Sequence, residues 1–285
     1  MNNIKYITHA CVERLIKHRN SEDVVIFLSG PTSKKTPLSI LRNKDVIAVN
    51  GSAAYLIDNN ITPFIYTLTD ARFLLQRRDD FYKFSRNSRF TVVNTDVYEE
   101  ASEEDKKYLR ENCLILQAFY KREKGGIYKK LKLSLKSRLH KSLLIDVPWS
   151  KKSRLVGFST DIAIGYCSCH TVAYTAIQIA YSLQYSLIVC SGLDLTNTCR
   201  RFYDESASPM PSELSNDLHK IIPFFKYMRE KVSDINIYNL SDDTAISYDI
   251  IPFIKPDEID KLCYRSSQKY NEDINFDRKL DTLAN

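Results

Sequence analysis

The run Val24-Val25-Ile26-Phe27-Leu28, leading straight into Ser29-Gly30-Pro31, constrains this chain more than any other feature. Five successive apolar residues without polar alternation need cover on both faces. That is the signature of a strand inside a parallel sheet. Related runs recur, and spans 24–29, 46–49, 63–68, 90–94, 114–118, 186–191 and 235–239 predict strands. Between them, 8–19, 52–59, 71–83, 102–111, 169–183 and 212–231 carry helical patterns, the last with Ser212 as its cap and Ser215 as a rival. Such alternation predicts an α/β fold, a Rossmann-like parallel sheet with helices on both faces. Residues 1–254 read as one domain, with 120–154 as a basic amphipathic helical insertion. Residues 255–285 form a polar, loosely held tail.

A chain of 285 residues, 44% of them apolar, is long enough to bury the core of such a domain. No stretch approaches the ~18–20 apolar residues of a membrane span. The opening Met1-Asn2-Asn3-Ile4-Lys5-Tyr6 lacks the pattern of a secretory signal, so a cytoplasmic protein is expected. The seven cysteines agree, being odd in number and partly embedded in apolar runs, as at Cys113 and Cys190. Cys167-Ser168-Cys169-His170 invites a metal reading, but zinc needs four ligands and no second half-site follows. No metal is expected there.

In open α/β sheets, ligands sit beyond the carboxyl ends of the strands. After the first strand come Ser29, Gly30, Pro31, Thr32 and Ser33; Gly30 permits a tight turn, and the hydroxyls can meet ribose or phosphate oxygens. No G-K-[ST] follows, so this is not a Walker loop. After the second come Asn50, Gly51 and Ser52, with Asn50 able to read a base or sugar edge; after the third, Asp70 is placed to cap a helix. Gly192 and Asp194 follow the strand at 186–191. Each loop alone is ordinary turn chemistry. Four polar ends on one sheet point to a nucleotide cleft.

Residues 25–33, 45–52, 166–185 and 188–194 resemble the blocks of bacterial sialyltransferases, with Ser29 where those enzymes carry an asparagine. Three longer stretches resemble more closely the family of lipopolysaccharide inner-core transferases that add a third Kdo (3-deoxy-D-manno-octulosonic acid). They are 27–33 (Phe-Leu-Ser-Gly-Pro-Thr-Ser), 164–171 (Ile-Gly-Tyr-Cys-Ser-Cys-His-Thr) and 201–214, the last rich in Pro and Ser. The likeness continues through 239–246. It implies a CMP-β-Kdo donor, a Kdo of the lipid-anchored core as acceptor, an inverting transfer, and no metal or cofactor. It also implies an enzyme peripheral on the cytoplasmic face of the inner membrane.

Inversion by direct displacement requires a base for the acceptor proton. The sialyltransferases use a histidine after the last donor loop, but 204–217 holds none. Glu213, Asp204 or Glu205, and His170 remain as candidates, a carboxylate needing a raised pKa. His219 falls within a helical pattern and reads as a surface or packing residue. His170 opens the helix after the Cys-Ser-Cys segment, where N–H groups suit a phosphate, with Ser168 and Thr171 beside it. Tyr203 can donate to the leaving oxygen, and Arg72, Arg200 and Arg201 are candidate cations for an anionic donor.

Net charge is +6, yet residues 121–154 hold twelve Lys or Arg against two acids, and the rest is close to neutral. Apolar positions 127/128, 131, 135, 139 and 143 follow helical spacing among Lys129, Lys130 and Lys132. A basic amphipathic helix suits an anionic membrane surface. Two other readings compete: a nucleic-acid-binding module, which no nucleic-acid motif supports, and a catalytically silent scaffold, motivated by the missing histidine.

Overall fold

The computed structural model describes residues 4–120, 127–147, 155–196, 201–203 and 214–262. Its first half runs α1 (His9–Lys17), β1 (Asp23–Phe27), α2 (Leu38–Asn43), β2 (Asp45–Val49), α3 (Ala53–Asp58) and β3 (Ile65–Leu68). There follow α4 (Ala71–Gln76), α5 (Arg78–Arg86), β4 (Phe90–Asn94), α6 (Thr95–Glu100), α7 (Glu103–Asn112), β5 (Leu114–Leu116) and β6 (Ala118–Tyr120). The second half runs α8 (Ile127–Leu139), β7 (Leu143–Asp146), β8 (Val156–Ser159), β9 (Tyr166–Cys167), α9 (Val172–Ser182) and β10 (Leu187–Ser191). It closes with α10 (Leu214–Lys231) and β11 (Ile237–Asn239).

Seven strands form one sheet in the order β11-β10-β1-β2-β3-β4-β5, every neighbouring pair parallel. Five consecutive buried residues make β1, and alternate side chains serve opposite faces. Val24, Ile26 and Leu28 join the core beneath α9, whereas Val25 and Phe27 join the core on the other face, with Leu56 and Phe81. The fold expected from the apolar runs is thus the one observed. From β1 the chain winds outward to β5 on one side, then returns to place β10 and β11 on the other. The winding direction reverses between β1 and β10, and a crevice opens at such a switch point.

Helix α9 is buried without interruption from Ala173 to Ala180, as a central helix must be. Within it, Gln178 acts as a substitute backbone. Its Oε1 accepts from the N–H groups of Ser159 and Cys167, each at 2.9 Å. Its amide nitrogen donates to the carbonyls of Cys167 (3.0 Å) and Tyr174 (3.1 Å). One side chain therefore ties β8 and β9 to the helix.

Several boundaries differ from the sequence reading. The helix expected over 71–83 breaks at Arg77 (φ −131°, ψ 47°), whose guanidinium turns to Asp80. The strand at 114–118 divides, because β6 leaves the main sheet to pair with β9. Helix α6, capped by Asn94, was not anticipated. The helical spacing carried through Leu143 fails there. Leu143–Asp146 pairs antiparallel with β8 and buries Leu143, and tertiary pairing overrides local propensity. Of the expected tail, Ile259 is fully buried; residues 263–285 lie outside the described residues.

Replacing Gln178 with Leu leaves two buried N–H groups and a carbonyl without their partner. The expected cost is about 3 kcal/mol or more in denaturant unfolding. A change within about 0.5 kcal/mol would show that β8 and β9 do not depend on this residue.

Candidate active site

The crevice at the switch point is a cleft of about 710 Å³, within the range of small-molecule sites. Its walls come from the loops after the parallel strands: Ser29 and Gly30 after β1, Asn50 after β2, Asp70 after β3, Gly192 to Thr196 after β10. The segment Ser168–Ala173 closes one side, and Leu214 and Asp217 of α10 face it.

Two loops meet so closely that glycine is required. A Cβ on Gly30 would lie 2.4 Å from an Asp194 carboxylate oxygen and 2.4 Å from the Gly192 carbonyl. Gly192 itself adopts φ +77°, and a Cβ there would lie 1.9 Å from Ser33 Oγ. Asp194 stands buried at the junction. It accepts from the Thr32 N–H (3.1 Å), the Thr32 hydroxyl and the Ser241 hydroxyl, joining the ends of β1, β10 and β11.

These contacts sort the sequence candidates. Ser29, Gly30, Asn50, Asp70, Ser168, His170, Thr171, Gly192 and Asp194 line the cleft together. Pro31, Thr32, Ser33, Gly51, Ser52 and Tyr203 are set back from the wall. Ser33 is buried with its hydroxyl donating toward Leu28 O and Gly30 O, and Ser52 likewise donates to Phe27 O. The Tyr203 ring lies on Gly51, with the Arg77 guanidinium 5.4 Å from its centroid. Gly30 is thus needed for the close approach of Asp194 and Gly192.

Asn50 holds φ +47°, a left-handed conformation that asparagine tolerates. Its side-chain carbonyl oxygen is buried without a hydrogen-bond partner among the described residues, and the residue lines the cleft. Asp70 caps α4 through the Arg72 N–H and pairs with the Arg72 guanidinium at 2.7 Å. Arg201 also lines the cleft.

Along Cys167-Ser168-Cys169-His170 the degree of burial alternates. Both cysteines are buried, and burial pushes the Cys167 thiol well up. Ser168, Cys169 and His170 line the cleft. Helix α9 begins only at Val172, capped by the Thr171 hydroxyl, which accepts from Ala173 N–H. His170 therefore precedes the helix instead of opening it.

His170 Nδ1 bonds to Asp217 Oδ2, and Asp217 Oδ1 is held by Lys220. Burial alone would raise the Asp217 carboxyl, but hydrogen bonds from Lys220 and His170 outweigh it and hold the carboxyl below its ordinary range. Its contribution to stability is accordingly present above the ordinary carboxylate range, and is lost as pH falls through the depressed value. Asp217 was not anticipated. It lies 47 residues from its partner, and in the sequence it reads only as an acid in a helix's first turn. His219, by contrast, is exposed on α10. Asp204, Glu205, Glu213 and Arg200 lie outside the described residues, as does the side chain of Lys129. Lys130 is half-buried and Lys132 exposed on α8.

A model of the family described as "3-deoxy-D-manno-octulosonic acid transferase WaaZ" matches residues 6–257. A curated relative in Escherichia coli (strain K12), "Probable 3-deoxy-manno-octulosonic acid transferase", is 63% identical over the whole of both chains. A protein of the same description in Salmonella typhimurium (strain LT2) is 66% identical over 93% of this chain and 98% of its own. Among solved structures, the MAf glycosyltransferase from Magnetospirillum magneticum AMB-1 aligns with TM-score 0.43 and 13% identity, over 88% of this chain and 38% of that one. At that score the likeness carries no functional information. The family match and the two close relatives agree over nearly the full length: the chain belongs to the WaaZ family of 3-deoxy-D-manno-octulosonic acid (Kdo) transferases.

Proposed function

We propose that this Kdo transferase takes its sugar from CMP-β-Kdo and adds it, as a third Kdo, to a Kdo of the lipopolysaccharide inner core. The transfer inverts the anomeric centre, uses no metal or other cofactor, and takes place on the cytoplasmic face of the inner membrane. The observation that carries the reading is the His170–Asp217 pair on the wall of a nucleotide-sized cleft at the sheet's switch point.

In this reading CMP lies over the loops after β1, β2 and β10. Asn50 accepts from the nucleotide, and its orphaned carbonyl oxygen supports that role. The donor phosphate meets the N-terminus of α9 beside Ser168 and Thr171, where N–H groups and the helix dipole favour an anion. His170 takes the proton of the acceptor hydroxyl as that oxygen attacks the anomeric carbon and CMP departs with the bonding electrons. Asp217 fixes the ring and stabilises the imidazolium as it forms, and Lys220 keeps the carboxylate ionised. Arg201, on the same wall, suits the donor carboxylate.

Metal independence draws support from how three acids of the cleft wall are engaged, although Asp96 and Glu100 line it as well. Asp70 is paired with Arg72, Asp194 with two hydroxyls, and Asp217 with His170 and Lys220. Charge neutralisation of the leaving CMP then falls to N–H groups and cationic side chains. A histidine in the cleft also removes the motive for a silent scaffold.

Purified enzyme, CMP-Kdo and a Kdo-bearing lipid acceptor test the reading. His170→Ala should lower turnover by ~10²–10⁴, and Asp217→Asn by roughly tenfold to a thousandfold with CMP affinity little changed. NMR of the product should show the α-linkage. Retained turnover in His170→Ala moves the base to Asp204, Glu205 or Glu213. For the metal, rates should be the same with and without EDTA; activity that vanishes with EDTA and returns with Mg²⁺ or Mn²⁺ contradicts the metal-free step.

A further inference from the structure

Helix α8 is mounted with its apolar stripe outward. Tyr128, Leu131, Leu135 and Leu139 are 89%, 46%, 60% and 70% exposed. At about 100° per residue they fall within an arc of roughly 80°, a single stripe along the helix. The side that faces the protein is the poorer one: Leu133 packs on the core, beside half-buried Lys130, Ser134 and Ser137. A helix held only by its own domain would be turned the other way. A contiguous exposed apolar stripe marks a contact surface.

The charges say what kind of contact. Lys132 and Arg138 flank the stripe on its two sides, Lys136 stands beyond Lys132, all three are exposed, and Ile127–Leu139 contains no acidic residue. A polynucleotide would use the cations and leave the leucines in water. An anionic bilayer uses both: the headgroups meet the cations, and the aliphatic and aromatic groups enter the boundary with the acyl chains. No helix among the described residues is long and apolar enough to cross a membrane, so the contact is along the surface.

The position is equally specific. Helix α8 follows β6, and β6 pairs with β9, so that Ala118 and Tyr166 of this small sheet line the catalytic cleft. The Lys136 ammonium rests 5.4 Å from the ring of Phe119, on the same strand. The stripe is therefore carried on the structure that forms the cleft wall.

We infer that α8 is a membrane-docking helix that lies in the headgroup layer of an anionic bilayer through Tyr128, Leu131, Leu135 and Leu139, with Lys132, Lys136 and Arg138 against the phosphates. For the acceptor the inference rests on the function proposed above; for the surface it does not. A lipid-anchored acceptor then reaches the cleft by diffusion in two dimensions, beside a wall already at the membrane.

Sedimentation of the full chain with vesicles of phosphatidylcholine, with and without phosphatidylglycerol, tests this in the absence of any sugar. The protein should bind the anionic vesicles and not the neutral ones, and lose them as salt rises. Leu131→Gln/Leu135→Gln and Lys132→Glu/Lys136→Glu should each weaken binding at least about tenfold, while transfer to a soluble, lipid-free acceptor stays at the native rate. All four positions are exposed, so the variants should fold. Four results overturn the inference: no binding by the native protein; binding by both double variants as tight as the native protein's; capture by a polynucleotide that the leucine changes leave unaltered; or loss of soluble transfer in step with vesicle binding. A protein that binds vesicles but transfers no Kdo contradicts the proposed function and leaves this inference standing.

Discussion

Everything at the cleft depends on how closely the loops after β1 and β10 can approach. Gly30 and Gly192 have no side chains at the point of contact, and Asp194 draws the two loops and the end of β11 together through Thr32 and Ser241. A buried carboxylate is costly unless its oxygens are bonded, and here they are. The sheet alone would leave a crevice at its switch point. The clamp gives that crevice a fixed floor, and Asn50 and the Ser168–Thr171 segment take their places around it.

The opposite wall is set by a second buried polar group. Gln178 holds Cys167 through its N–H and carbonyl, with Cys167 inward and Ser168, Cys169 and His170 on the cleft wall. Asp217 then orients the His170 ring from α10. Under the proposed function, His170 is a base positioned before substrate arrives, its segment tied to α9 at Cys167 and its ring bonded to Asp217, which is how electrostatic and proton-transfer catalysis gains its advantage.

The fold was legible because unbroken apolar runs such as Val24–Leu28 admit few arrangements, and parallel pairing with two-sided cover is the common one. The strand ends were legible for the same reason, since a sheet of known direction tells which loops share an edge. Less legible was what each loop residue does there. Ser33, Ser52 and Asp194 have the chemistry of ligand-binding groups, but the Ser33 hydroxyl closes its turn, the Ser52 hydroxyl closes a turn at Val49 and ties it to β1, and Asp194 clamps loops. The His170–Asp217 pair and the Gln178 tie are long-range contacts with no local pattern to announce them. In α8 the leucine spacing gave the helix but not its orientation. Only the structure shows that the apolar stripe faces solvent.

If CMP binds in the clamped cleft, as proposed above, calorimetric titration of CMP into the native protein and into Ser241→Ala will show it. Ser241 is buried and stands off the cleft wall, and its hydroxyl joins the clamp through Asp194 and the Thr32 hydroxyl. Losing a buried hydrogen bond to a carboxylate is worth ~1.5–3 kcal/mol, so loosening the clamp should weaken CMP by at least about tenfold in a protein that remains folded. A native protein that does not bind CMP, or a folded Ser241→Ala that binds it as tightly as the native one, would contradict the account.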